Sequence, residues 1–207
     1  VNIETLLPTG YAFQKNDGTL EKRITTIAEL GEIPNVSVVK CTVHEDTDGD
    51  KKCDYCSADL EADAVATLTV DSATYFYTDL PSAVAKANTT GGTIQLRQDV
   101  TGLTEKLDIN HSKGFAITLD LNGHTISGAD HSGSTLLAVS TFGTVTIDDT
   151  SSAKTGKIVG ENGGGYAVCV SDGKLIITGG TFEGTDVAGT GGLSGQAGYA
   201  LGTAGGE

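Results

Sequence analysis

The chain contains no tryptophan and no methionine, and only three of its 207 residues are proline. Phe and Tyr together supply 5% of the residues, whereas the 29 glycines are about twice the usual frequency. Few aromatic and helix-forming residues, combined with many Gly and Thr, indicate an all-β chain with many tight turns. Since an initiator Met and a signal peptide are also lacking, we expect a processed or excised fragment.

Basic residues are scarce as well, with 13 Lys and Arg against 27 Asp and Glu and a net charge of −14. Binding to phosphate groups needs clustered Lys and Arg, and so does docking on an anionic membrane. No apolar run approaches the ~20 residues of a membrane-spanning helix. We therefore expect an acidic surface, no nucleic-acid partner and no membrane insertion.

Two pairs of metal-ligating residues lie close together in the first third of the chain. Two residues separate Cys41 from His44, and two separate Cys53 from Cys56. A two-residue gap lets both side chains of a pair reach one ion, and a short loop brings the second pair to complete a tetrahedron. Zinc prefers thiolate and imidazole, and four protein ligands leave no open position. The pattern predicts a structural zinc site.

The acidic loop between these pairs offers a second interpretation, a calcium site. Its ligands would be Asp46, Asp48, Asp50 and Asp54. An EF-hand does not fit, because Gly49 falls at the fourth position of such a loop and Ser57 occupies the position of the bidentate Glu. The calcium alternative therefore needs a looser aspartate-rich loop.

A disulfide is a third possibility in an oxidising compartment, joining Cys41 to Cys53 or to Cys56. That bond would leave His44 without a role, which favours the metal. Cys169 stands apart from the other cysteines, in the apolar run Tyr166–Val170. We expect its side chain to point into a core as a small hydrophobic residue.

The chain divides into three segments on these patterns. We expect residues 1–40 to form a small β element, the end of a preceding module. Residues 41–60 are the Cys/His segment, which we call the knuckle. We expect residues 61–207 to form a larger β domain that is truncated at its C-terminus. A short helix near its start is indicated by Thr78 or Asp79 as N-cap, by Pro81, and by the Gly91-Gly92 pair beyond the end.

Short apolar strands separated by Gly, Asn and Asp turns follow this helix. The stretches Ile117–Gly128, Thr144–Asp149 and Lys174–Gly184 align with one another, at steps of roughly 25–33 residues. Such a repeat indicates a parallel β-helix, in which each coil stacks Val, Ile and Leu on the next and the helix caps the open end. The repeat is imperfect, so a β-sandwich remains the competing architecture.

Residues 74–207 resemble the opening of pectate-lyase-like right-handed parallel β-helix domains, most specifically at Leu119-Asp-Leu-Asn-Gly-His-Thr-Ile126. Similar domains, preceded by short Cys/His linkers, occur in large surface proteins of Gram-positive, gut-type bacteria. The resemblance implies an extracellular, cell-surface, multi-module protein with an adhesin, glycan-contacting or spacer role. Its implied partners are host or cell-wall glycans or proteins and neighbouring modules of the same chain.

The resemblance does not imply an enzyme, and we assign no catalytic residue. Acids and bases that a polysaccharide lyase or hydrolase could use are present, namely Asp148, Asp149, Lys157, Asp172 and Glu183. Adjacent strand residues point to opposite faces, so Asp148 and Asp149 do not form a catalytic pair in regular β structure. The alternatives are a fragment of such an enzyme, or a structural repeat that assembles into a stalk or filament.

Overall fold

The computed structural model describes residues 7–23, 35–41, 44–46, 50–110, 114–128, 136–160, 166–184 and 199–203. Within these ranges the chain is mostly β, which confirms the all-β expectation. The strands are β1 Tyr11–Lys15, β2 Val36–Lys40, β3 Ala66–Val70, β4 Ala73–Tyr77, β5 Gly92–Leu96, β6 Val100–Leu103, β7 Leu107–Ile109, β8 Ala116–Asp120, β9 Thr125–Gly128, β10 Leu137–Asp148, β11 Lys157–Val159, β12 Tyr166–Ile177, β13 Thr181–Glu183 and β14 Tyr199–Thr203. The helices are α1 Leu60–Asp63 and α2 Leu80–Thr90.

The first two strands form a separate antiparallel pair, with Tyr11 opposite Lys40 and Lys15 opposite Val36. A turn follows β1, where Gly18 has φ +87° and the Thr19 amide donates to the Asp17 carboxylate over 2.9 Å. Asn-Asp-Gly is a strong turn signal because Gly adopts positive φ without strain. This antiparallel pair is the described β structure within residues 1–40.

The largest sheet has the order β14-β12-β10-β8-β5-β3-β4, and β7 pairs with the first part of β10. Neighbours from β5 onward run parallel, whereas β3 is antiparallel to both β4 and β5. Only Asp71 and Ser72 separate β3 from β4, and so short a turn can join only antiparallel strands. This sheet is therefore mixed, and the expectation of a single parallel β-helix is not confirmed by it.

A second sheet, of order β13-β11-β9-β6, is parallel throughout. The chain alternates between the two sheets, because β6, β9, β11 and β13 each follow a strand of the large sheet. Residues that are partners across neighbouring strands point into the same core. Three such buried pairs are Leu119 with Ile147, Ile126 with Ile158, and Leu137 with Val168.

Helix α2 begins and ends where the sequence predicts. The Asp79 carboxylate caps its start by accepting from the Ser82 amide over 2.7 Å, and the helix ends at Gly91, which has φ +73°. A Cβ on the following Gly92 would lie 2.4 Å from the Thr69 carbonyl oxygen. Only glycine therefore allows β3 and β5 to approach each other so closely at this position. The buried face of α2 is Leu80, Ala83, Val84 and Ala87.

The described residues build two apolar cores. The larger core lies between the two sheets and under α2, and we call the described residues from Ala66 onward the β body. The smaller core lies at the knuckle and joins parts of β1, α1 and β4. Its buried members are Ala12, Cys41, Cys53, Cys56, Leu60, Ala64 and Phe76. The two faces of β4 therefore pack on different cores: Phe76 belongs to the smaller core and Tyr77 to the larger one.

Candidate metal centre

Backbone hydrogen bonds bring the four predicted zinc ligands together. Cys41 directly follows β2, and its amide donates to the Gly10 carbonyl over 2.8 Å. The Gly10 amide in turn donates to the Cys56 carbonyl over 3.2 Å, so the backbone before β1 links both Cys pairs. A tight turn, in which the Ser57 amide donates to the Cys53 carbonyl, places Cys53 and Cys56 side by side.

The ligand atoms of Cys41, His44, Cys53 and Cys56 all lie within 4.8 Å of one another. The Sγ atoms of Cys41 and Cys53 are 3.9 Å apart, and Cys56 Sγ is 3.6 Å from His44 Nδ1. A tetrahedron of zinc bonds of about 2.3 Å has edges of roughly 3.8 Å, so these separations match. The three cysteines are buried and His44 is half-buried. The predicted residues thus form a set that could hold one metal ion.

No disulfide joins the cysteines of this cluster in the structure. The separation of 3.9 Å between Cys41 Sγ and Cys53 Sγ is far beyond the bond of about 2.05 Å in a disulfide. The structure therefore favours the metal interpretation over the disulfide alternative.

The protonation of the thiols depends on their mutual contacts. A hydrogen bond from Cys41 lowers the pKa of Cys53, with a further contribution from His44, and the same contact with Cys53 raises the pKa of Cys41. Burial raises the pKa of Cys56. Several thiolates in so small a buried volume repel one another, and a divalent cation would remove that penalty. The cluster is therefore suited chemically to a cation.

The aspartates proposed for calcium engage separate partners where they are described. The buried Asp46 carboxylate accepts from the Lys51 amide over 2.9 Å. Asp50 forms an ion pair with Arg23 over 2.9 Å. Because a cationic side chain already neutralises Asp50, it is a poor candidate for a calcium ligand.

Asp54 is buried and forms a 2.8 Å ion pair with Lys22. Asp48, the remaining member of the calcium set, lies outside the described residues. In the described part of the chain, the Cys/His set is the group of three or more potential ligands that come within reach of one ion. The geometry thus favours the four sulfur and nitrogen ligands.

The acids and bases considered for catalysis serve turns and surface pairs. The buried Asp149 carboxylate accepts from the amides of Gly123 and Gly156, over 2.8 and 2.7 Å. It directly follows the last residue of β10. Lys157 and Glu183 form an ion pair across β11 and β13 over 3.0 Å. These contacts give the groups structural roles.

Cys169 is only partly buried, so the prediction that it points into the core is wrong. Its neighbours Val168 and Val170 are buried in the larger core, as is Ala167. Strand alternation places Cys169 on the opposite face from the two valines, and the apolar run Tyr166–Val170 alone does not reveal which face is inward.

Two buried residues were not identified from the sequence, one at the site and one in the β body. Phe76 of β4 belongs to the buried cluster that contains the three cysteines, and Asp120 is buried with contacts to Thr150 and Gln95. Alternation in Tyr75-Phe76-Tyr77 does place Phe76 on the face opposite the two tyrosines. Nothing local in the sequence shows that this face meets the knuckle.

A scan against protein-family models, a search of curated proteins and a search of solved structures each found no match to this chain. Among the described residues, no helix has the length and apolar character needed to cross a membrane. The metal centre and the β architecture are therefore the features from which a function is inferred.

Proposed function

We propose that this chain is a non-catalytic structural module of an extracellular bacterial surface protein, with an adhesin, glycan-contacting or spacer role. In this proposal the strands from β5 onward are the first coils of a right-handed parallel β-helix. A structural zinc ion holds the knuckle that precedes them. The surface location and the partners, host or cell-wall glycans or proteins, are suggested by the sequence resemblance.

The observation that carries the proposal is the stacking of strands in register along three series. One series pairs β5 with β8, β8 with the end of β10, and the end of β10 with the end of β12. A second pairs β6, β9, β11 and β13 in that order. The third pairs β7 with the start of β10, then with the starts of β12 and β14. Each step adds roughly 24–33 residues, a period typical of a solenoid.

A general rule and one further observation support a right-handed coil. Parallel strands in one sheet need crossover connections, and such connections are right-handed in about 98% of cases. The antiparallel strands β3 and β4 then cover the edge of β5, which would otherwise be open to pairing with another chain. In this interpretation the mixed sheet is a parallel coil with an antiparallel cap.

The non-catalytic part of the proposal rests on the contacts of the polar groups. Four protein ligands would leave a zinc ion no open position for substrate. Asp149 and Asp120 accept hydrogen bonds from several donors each, in turns between the two sheets. Such carboxylates stabilise corners of the coil and are not available as acids or bases.

The test is a panel of host and bacterial cell-wall polysaccharides, assayed with the zinc-loaded chain for binding and for turnover on the same samples. Binding without product supports the adhesive role, and neither binding nor product supports the spacer role. Appearance of new reducing ends or unsaturated sugars would overturn the proposal and favour an enzyme fragment. Elemental analysis with a thiol count comes first, and one zinc per chain with no disulfide is expected.

A further inference from the structure

The knuckle is in contact with the outer strand of the β body. Strand β4 ends the large sheet, so no described strand pairs with its second edge. Its outward side chain, Phe76, is 7% exposed and packs in the small core that contains Cys41, Cys53 and Cys56. The small core at the knuckle therefore covers the face of β4 that carries Phe76.

Polar contacts join the same two parts of the molecule. Glu45, next to the ligand His44, accepts from the Tyr55 hydroxyl over 3.1 Å within the knuckle. Its other carboxylate oxygen lies 3.9 Å from Lys86 Nζ on α2. Lys86 Nζ in turn lies 5.7 Å from the centre of the Tyr75 ring on β4. This chain of contacts runs from a metal ligand to the helix and strand that close the end of the β body.

The neighbouring Tyr77 hydroxyl shows how closely the parts approach. It is buried and has no hydrogen-bond partner among the described residues. Burial raises the pKa of Tyr77, and the negative charge of Glu45 raises it further.

We propose that Phe76 is a positioning residue for the metal centre, and that metal binding by the knuckle and packing of β4 are thermodynamically coupled. The inference rests on the proposed metal centre and deepens it. Coupling is reciprocal: if the ion stabilises the packing of Phe76, then Phe76 raises the affinity for the ion by the same factor. The Phe76 ring would not contact the ion itself, but it would raise the affinity of the knuckle for the ion by holding the three thiols in place.

The experiment is a comparison of zinc affinity between the whole chain and its Phe76→Ala variant, by competition with a chromophoric chelator. Coupling between sites commonly amounts to about 5–150-fold, and we expect a loss of roughly tenfold. Phe182→Ala is the matched control, because Phe182 is partly buried against the larger core, away from the knuckle. It should leave the zinc affinity unchanged. Phe76→Leu, a milder change, should lose less than Phe76→Ala and serves if that variant does not fold.

Hydrogen exchange supplies an independent readout. Removing zinc from the unmodified chain should increase exchange in β3 and β4 but not in the strands from β8 onward. Equal zinc affinity of Phe76→Ala and the unmodified chain would overturn the coupling, and so would equal losses in both alanine variants. If the unmodified chain binds no zinc at all, the metal centre itself is wrong, a result distinct from failure of the coupling alone.

Discussion

Two regions of the molecule, the knuckle with the β1–β2 pair and the β body, are stabilised by different means. Among the described residues, seven buried residues form the core at the knuckle, and three of them are cysteines. Twenty-five form the core of the β body, almost all of them aliphatic. Burial of apolar surface supplies roughly 25 cal/mol per Å², so the larger core contributes far more to stability than the smaller one does. A region with so small a core commonly depends on a metal or on disulfides.

The two regions also differ in how their buried polar groups are satisfied. In the β body, Asp120 and Asp149 are buried at corners where several amides and hydroxyls donate to each carboxylate. In the knuckle, buried thiols contact one another and compete for protons. The first arrangement is satisfied without a ligand, whereas the second is best satisfied by a cation.

The largest effect is expected for Cys53→Ser. Loss of one thiolate should abolish stoichiometric zinc binding, because structural zinc contributes roughly 10–16 kcal/mol in isolated zinc fingers. Residues 41–60 should then lose protection, while the β body from β8 onward keeps its strands. Metal analysis and hydrogen exchange measure the two results. Collapse of the whole β signal in circular dichroism would show that the two regions are not stabilised separately.

A core truncation in the β body should produce the opposite pattern. Ile147 is fully buried between Leu119 and Ile177 in the stack, so Ile147→Ala should cost about 2–5 kcal/mol of unfolding free energy. Zinc content should stay at the unmodified level. Thermal and denaturant unfolding give the change, with Ile176→Ala as control. Ile176 is 36% exposed, and its truncation should cost less than about 1 kcal/mol; similar losses for both variants would contradict the assignment of Ile147 to the core.

Acid should weaken the β body through its buried carboxylates. Burial acts to raise the pKa of Asp149, but hydrogen bonds from Ser151, Gly156 and Gly123 outweigh it, so the pKa is lowered. The stabilisation is therefore complete above the unfolded pKa of about 4 and is lost as the pH falls through the lower, folded value.

Denaturant unfolding of the Cys53→Ser variant between pH 7 and 3 measures this effect without the acid-driven release of zinc. We expect constant stability down to about pH 5 and a decline below about pH 4. Adding Asp149→Asn should lower stability at pH 7 and flatten the decline. An equally steep decline with Asn at this position would assign the acid sensitivity to other groups.

The smallest effect is expected at the helix that closes the β body. Asp79→Ala removes the acceptor of the Ser82 amide and should cost about 1 kcal/mol. Asp79→Ser retains a capping oxygen and should restore most of the loss. Chemical denaturation measures both variants. If alanine and serine have the same effect, the N-cap hydrogen bond does not contribute measurably to stability.

Local patterns were sufficient for several features. The spacing of Cys41, His44, Cys53 and Cys56 predicted the ligand cluster, because the geometry of a two-residue gap depends only on the local backbone. Helix α2 was predicted from its caps, since the groups that end a helix are within a few residues of it. The all-β class followed from composition.

Other features depend on contacts between residues distant in sequence. Which face of β12 points inward, and hence the position of Cys169, is set by the register with β10. The antiparallel pairing of β3 with β4, and the burial of Phe76 in the core at the knuckle, arise from contacts that no short window contains. The sequence by itself determined the Cys/His cluster, the helix and the β character, because each is encoded by neighbouring residues. Only the tertiary structure decided which faces are buried and what covers the outer strand. The physical reason is that the free energy of apolar burial depends on the area removed from water, whatever the distance along the chain between the residues in contact.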